Sequence, residues 1–147
     1  MITGHGLSID VPAGWEARIY RRDGAAPVLH VASFALHEGD GDFGAAATGR
    51  MRPGDTFIAL VQYLVSEPLR PGSGLFASRD IPPVPRPQEF SPAQLQVTRP
   101  GHLGWQRFFT AGQRPCCVYA VIRPGGAMPT EMVGEIGALL ASLALDD

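Results

Sequence analysis

The sequence predicts an α+β fold: a single antiparallel sheet of about six strands with a C-terminal helix packed on one face. Three observations carry that expectation. Met132, Val133, Ile136, Leu139, Leu140 and Leu143 recur at three- and four-residue steps, so they form one stripe along a helix. Residues 28–36, 56–65 and 116–122 are apolar on both alternations, the pattern of strands covered on both faces. Residues 7–11 and 15–22 alternate apolar and polar, as strands with one wet side do. The chain fits one domain over residues 1–147, since 45% of it is hydrophobic and 18% charged.

In chain order, Leu7, Ile9 and Val11 point one way, Ser8 and Asp10 the other, before Pro12-Ala-Gly14 turns the chain. Trp15, Ala17 and Ile19 then share one face, and Glu16, Arg18, Tyr20 and Arg22 the other. These two strands read as a sheet edge. Asp23-Gly24 is a turn signal. Residues 37–44 read as an acidic loop, residues 45–51 as a short helical turn and residues 75–77 as a short strand. The prolines of residues 81–87 lack ladder donors, so that segment is expected to be extended and near the surface. Ser91 before Pro92 opens a short turn. Residues 105–110 and 116–122 form two strands around the Gly112 and Pro115 turn. Thr130 is the expected N-cap of the helix, with Glu131 in its first turn, and the helix runs to about Ser142.

Three two-faced strands and one long helix leave an imbalance. The helix covers one face of the sheet. The other cover comes from loops, from the proline segment or from a second protein molecule. Large apolar residues in loop-like sequence are the candidates for that role: Phe43, Leu75, Phe76 and Phe90, either as lids or as an exposed patch. Tyr63 would offer a polar handle on the same face. These five residues form the candidate partner-binding set.

Composition narrows the partner. The net charge is −2, so no basic excess is available to hold a nucleic-acid backbone. Every basic residue is Arg, which reads as the coding bias of a GC-rich bacterial genome. Residues 1–6 lack a basic and apolar leader pattern, and the apolar stretch at residues 132–145 is broken by Glu135 and shorter than the roughly 20 residues of a membrane span. A cytoplasmic, non-membrane protein is the expectation.

Chemistry-bearing patterns are sparse. Glu38, Asp40 and Asp42 lack the full spacing of a calcium loop, so a solvated turn is the expected reading. His5, His30, His37 and His102 show no ligand spacing, and no metal or cofactor is expected. His30 reads as a core histidine, and His37 sits beside Glu38. Cys116 and Cys117 are neighbours that point to opposite faces of a strand, so free buried thiols are expected. No Gly-x-Ser-x-Gly elbow or phosphate loop is present. Pro82-Pro-Val-Pro-Arg86 matches a Pro-x-x-Pro ligand, with a rigid crossing loop as the plainer account.

The opening Gly6-Leu-Ser-Ile-Asp-Val-Pro-Ala-Gly-Trp15 and the close of the helix on Ala141-Ser-Leu-Ala-Leu145 resemble the PsbP-like family, in its actinobacterial branch. The resemblance implies an antiparallel sheet with helices on its faces, a PsbP-like sandwich, and a small binding or adaptor module without catalytic residues. The expected function is therefore a non-enzymatic protein-interaction module, with a protein partner or self-association as a homodimer. Two alternatives stay open. One is a small-ligand or enzymatic pocket lined by His30, Tyr63 or Cys116. The other is a chaperone for secreted effectors.

Overall fold

The computed structural model describes residues 1–66, 69–79 and 85–145. It is α+β and antiparallel throughout, but the strands divide between two sheets instead of forming one. The larger sheet has the order β3-β4-β5-β7-β6, built from β3 (Glu16–Tyr20), β4 (Val28–Ala32), β5 (Asp55–Gln62), β6 (Leu103–Ala111) and β7 (Arg114–Arg123). The smaller has the order β1-β2-β8, from β1 (Ile2–Gly4), β2 (Leu7–Ile9) and β8 (Ala144–Leu145). The single six-stranded sheet is thus corrected. The clean alternation at Leu7 and Ile9 fits either arrangement. Pairing of Leu7 with Leu145, from the far end of the chain, decides between them.

The main helix α2 (Pro129–Ser142) begins one residue before the expected cap. Pro129 takes the first helical position, where its missing N–H costs nothing and its φ is already helical. Met128, not Thr130, is the N-cap, and its carbonyl accepts the N–H groups of Glu131 and Met132. At the other end Ser142 Oγ donates to Leu139 O at 2.8 Å and accepts the Asp10 N–H at 3.0 Å, fastening the helix to the exit of β2.

Because successive strand residues point to opposite sides, the large sheet has two buried faces. On the helix face, Leu29, Val31, Ile58, Leu60, Cys116, Val118, Ala120 and Ile122 pack under the α2 stripe, with Leu7 and Ile9 of β2 and with Phe90. On the loop face, Val28, Ala32, Phe57, Ala59, Val61, Tyr119 and Val121 lie under Leu36, Ala47, Met51, Phe34, Phe43 and Leu95. The second cover is therefore the chain's own loops together with the short helix α1 (Ala45–Gly49). β4, the last seven residues of β5 and the inner eight of β7 are buried throughout. Residues 75–77, expected as a strand, instead follow a 3₁₀ turn over Gly74–Phe76. The core of the Pro-x-x-Pro segment, residues 82–84, lies outside the described residues.

The loop cover seats tightly at one point. Gly44 has φ 66°, and a Cβ there would run into the Phe57 ring. Gly44→Ala is expected to cost about 2–4 kcal/mol in denaturant unfolding, combining left-handed strain with overpacking. Gly134, on the open side of α2, has no atom near its missing Cβ. Gly134→Ala should gain about 0.5–1 kcal/mol in the same assay.

Candidate functional site

The five candidate partner residues do not share a surface. Phe90 lies on the helix face, 6% exposed, stacked on Trp105 at 6.2 Å. Phe43 lies on the loop face, half-buried, edge-on to Tyr119 at 5.6 Å. Only Tyr63, Leu75 and Phe76 gather at one end, where Phe76 is wedged between Tyr63 at 5.8 Å and Phe108 at 5.7 Å. Phe76 is 3% exposed, so it is a lid and not a contact surface, whereas Leu75 is 68% exposed. Leu64 and Val65 are exposed as well. Alternation scatters these residues: loop position says nothing about which sheet face a side chain meets.

The pocket alternative fares similarly. Cys116 is on the helix face and His30 on the loop face, while Tyr63 lines a separate depression with Leu64 and Val65. Burial pushes the Cys116 thiol up to about 11 and the Cys117 thiol to about 12, so neither is a thiolate at neutral pH. Among the described residues no group of three or more His, Cys, Asp or Glu is placed to hold a metal ion. No described helix is long and apolar enough to cross a membrane.

What the fold does assemble is a cleft of about 460 Å³ along the outer edge of β3. Ile2, Ala17 and Ile19 line its apolar side. Arg18, Tyr20, Arg22 and the loop from His37 to Asp40 line its polar side, with His30 at the back. The polar wall is firmly anchored. His30 Nε2 lies 2.8 Å from Asp42 O; a carbonyl only accepts, so Nε2 carries the proton. Tyr20 Oη sits 3.2 Å from the same nitrogen and donates to Gly41 O at 3.3 Å. Arg22 donates to the Asp42 carboxylate and to Asp40 O. Asp40 then caps α1, accepting the N–H groups of Gly41, Ala46 and Ala47 at 2.8, 3.0 and 2.9 Å. Of the acidic loop expected to be a solvated turn, Glu38 does face water, while Asp40 and Asp42 are committed to internal partners and make the loop a strut.

The edge itself follows from the ladder. Ser33 N–H donates to Thr56 O, and Tyr63 N–H donates to Pro115 O. In an antiparallel ladder, residues that exchange both bonds with one neighbour alternate with residues that face the other. Counting back through the register, His30 faces β3 and pairs there with Arg18, as Ala32 does with Glu16 and Val28 with Tyr20. Ala17 and Ile19 therefore point their N–H and C=O groups away from β4, into the cleft. Among the described residues no hydrogen bond reaches these groups. The opposite edge is bonded at three of its four outward-facing residues, Phe108 being the exception among the described residues. On β6, Gly104 exchanges both bonds with Ser91, Gln106 N–H donates to Gln94 Oε1 and Thr110 N–H donates to Ser78 O.

A broader depression of about 570 Å³ lies near Thr98, Arg99, His102 and Pro124. His102 is buried there beside Arg99 and Arg123, and its Nδ1 has no hydrogen-bond partner.

A scan against family models, a search of curated proteins and a search of solved structures each return no match for this chain.

Burial, foremost, lowers the pKa of His30, against the opposing pull of the Asp42 carbonyl; burial followed by Arg123 lowers that of His102. Both rings stay neutral in the folded chain below the pH at which they protonate in the unfolded one. The unfolded state then binds more protons, so this stability is present above about pH 6.5 and is lost as pH falls through the folded values. Melting temperature should drop between pH 7.5 and pH 5.5. His30→Gln keeps a donor for Asp42 O and should flatten part of that slope.

Proposed function

We propose that this protein is a non-catalytic interaction module that receives an extended segment of a partner protein at the open edge of β3. The observation that carries this reading is the pair of outward-facing main-chain residues, Ala17 and Ile19, set in a walled cleft while most of the far edge of the same sheet is bonded by crossing chain. An unpaired edge is normally blunted by charge, cover or closure, because its free donors and acceptors invite another strand. Arg18 and Glu16 blunt this edge on one side only. Main-chain bonds then supply attachment, and the cleft walls supply selection among side chains. The PsbP-like resemblance and a bacterial cytoplasmic setting belong to the same proposal.

Edge pairing replaces the mechanism expected from the sequence, burial of a bare sheet face, since the loops already occupy that face. It also favours an adaptor over an effector chaperone. A chaperone receiving a helix needs an apolar groove, whereas free N–H and C=O groups recognise a strand. The small-ligand reading keeps one supporting observation, the volume of the cleft, but the polar groups that converge there are mostly engaged with one another.

Hydrogen exchange tests the edge directly. Arg18 and Tyr20 amides, which face β4, should be protected, and those of Ala17 and Ile19 should exchange freely until a partner binds. Protection of all four in the isolated monomer would remove the proposal. Ala17→Pro deletes only an outward N–H, a substitution edge strands accept. It should leave the melting temperature within a few degrees and weaken partner binding at least tenfold.

A further inference from the structure

We infer that the segment accepted by β3 is an apolar–acidic–apolar strand, its acidic residue set opposite Arg18; this rests on the edge reading above. The register dictates the alternation. An incoming antiparallel strand exchanges hydrogen bonds with Ala17 and Ile19, so its residues opposite them project to the helix face, as those two side chains do. On that side they meet Ile2, Ala17 and Ile19, an apolar surface. The intervening residue projects to the loop face, directly opposite Arg18, in the close non-hydrogen-bonded position where side chains interact most strongly.

The charges around that position select its sign. Arg22 is held by the Asp42 carboxylate and the Asp40 carbonyl. Asp40 is spent on the α1 amides, and Glu16 turns back to accept the Leu36 N–H at 3.1 Å. Tyr20 is occupied by Gly41 and His30, and burial raises its pKa to about 12. His30 is neutral and donates to Asp42 O. Arg18 is the cation left loosely engaged: its carboxylate neighbour Glu38 is 3.8 Å away, and the two side chains are 42% and 89% exposed. Glu38 sits on the loop side and is free to swing into water, so a carboxylate on the added strand can replace it without leaving a buried charge unpaired.

The test uses two blocked peptides, acetyl-Thr-Val-Glu-Val-Thr-amide and its Val-Lys-Val counterpart, titrated into the isotope-labelled full chain while amide shifts are followed. The expected result is movement of the Ala17 and Ile19 amides, with the glutamate peptide binding on the order of threefold tighter than the lysine peptide. Arg18→Glu should reverse that order, and Arg18→Gln should abolish it; Arg18 is exposed enough for both variants to fold. Equal binding of the two peptides would overturn the acidic preference and leave edge recognition standing. Absence of any response at Ala17 and Ile19 would overturn both. Protection of those amides that rises with protein concentration alone would show a second copy in the slot, and would overturn the peptide assignment.

Discussion

The structure depends on one constraint: β5 and β7 are apolar on both sides, and both sides must leave water. Phe57, Ala59, Val61, Tyr119 and Val121 make one face, and Ile58, Leu60, Val118, Ala120 and Ile122 the other. With one long helix available, α2 and the small sheet take the first face. The second is covered by irregular chain, and irregular chain brings main-chain polar groups that need partners. Much of the polar architecture answers that need. Asp40 caps α1, Arg50 reaches Ala35 O, Arg123 reaches Met51 O, and the Tyr119 hydroxyl accepts the Gln96 N–H.

The same device shapes the cleft. The loop from His37 to Phe43 must be held down to keep Phe43 over Tyr119. His30, Tyr20 and Arg22 hold it through four separate bonds to its backbone and side chains. A wall fixed for reasons of cover is thereby a wall already ordered for a ligand, which lowers the entropy lost on binding. The loop stands over the polar side of β3 and leaves the strand's outer backbone bare. β6, at the other edge, is bonded by Ser91, Gln94 and Ser78 as the chain crosses it. The asymmetry between the two edges comes from the path of the connections, not from the strands themselves.

Much of the local structure was legible. Alternation at Trp15, Ala17 and Ile19 marked an edge strand with one wet side, and β3 is an edge strand. The stripe from Met132 to Leu143 marked α2. The residues that line the cleft were legible only as separate fragments: Arg18 as a wet-side residue, His30 as a core histidine, Glu38 and Asp40 as a solvated turn. Nothing in their spacing ties residue 18 to residue 38, because sheet pairing sets that distance. Asp40 looked unengaged because its partners are backbone amides, which leave no trace in side-chain sequence. The five aromatic and aliphatic residues singled out for a partner are dispersed for the converse reason. Apolar character in a loop signals burial somewhere, and Phe76 and Phe90 are buried on opposite faces.

The sequence by itself determined the long strands and the main helix, and that two faces of a sheet would need cover, because periodicity and side-chain chemistry are local properties; the short β1 and β8 and the turn at Gly74–Phe76 carry too few residues to show a period. Only the tertiary structure decided that Leu7 pairs with Leu145, that loops and not a second molecule close the loop face, and that Ala17 and Ile19 are left with open main-chain groups. Those outcomes depend on which distant segment reaches a given edge first and satisfies its donors and acceptors. That competition is settled by pairing across the whole chain, and no single stretch of residues records its result.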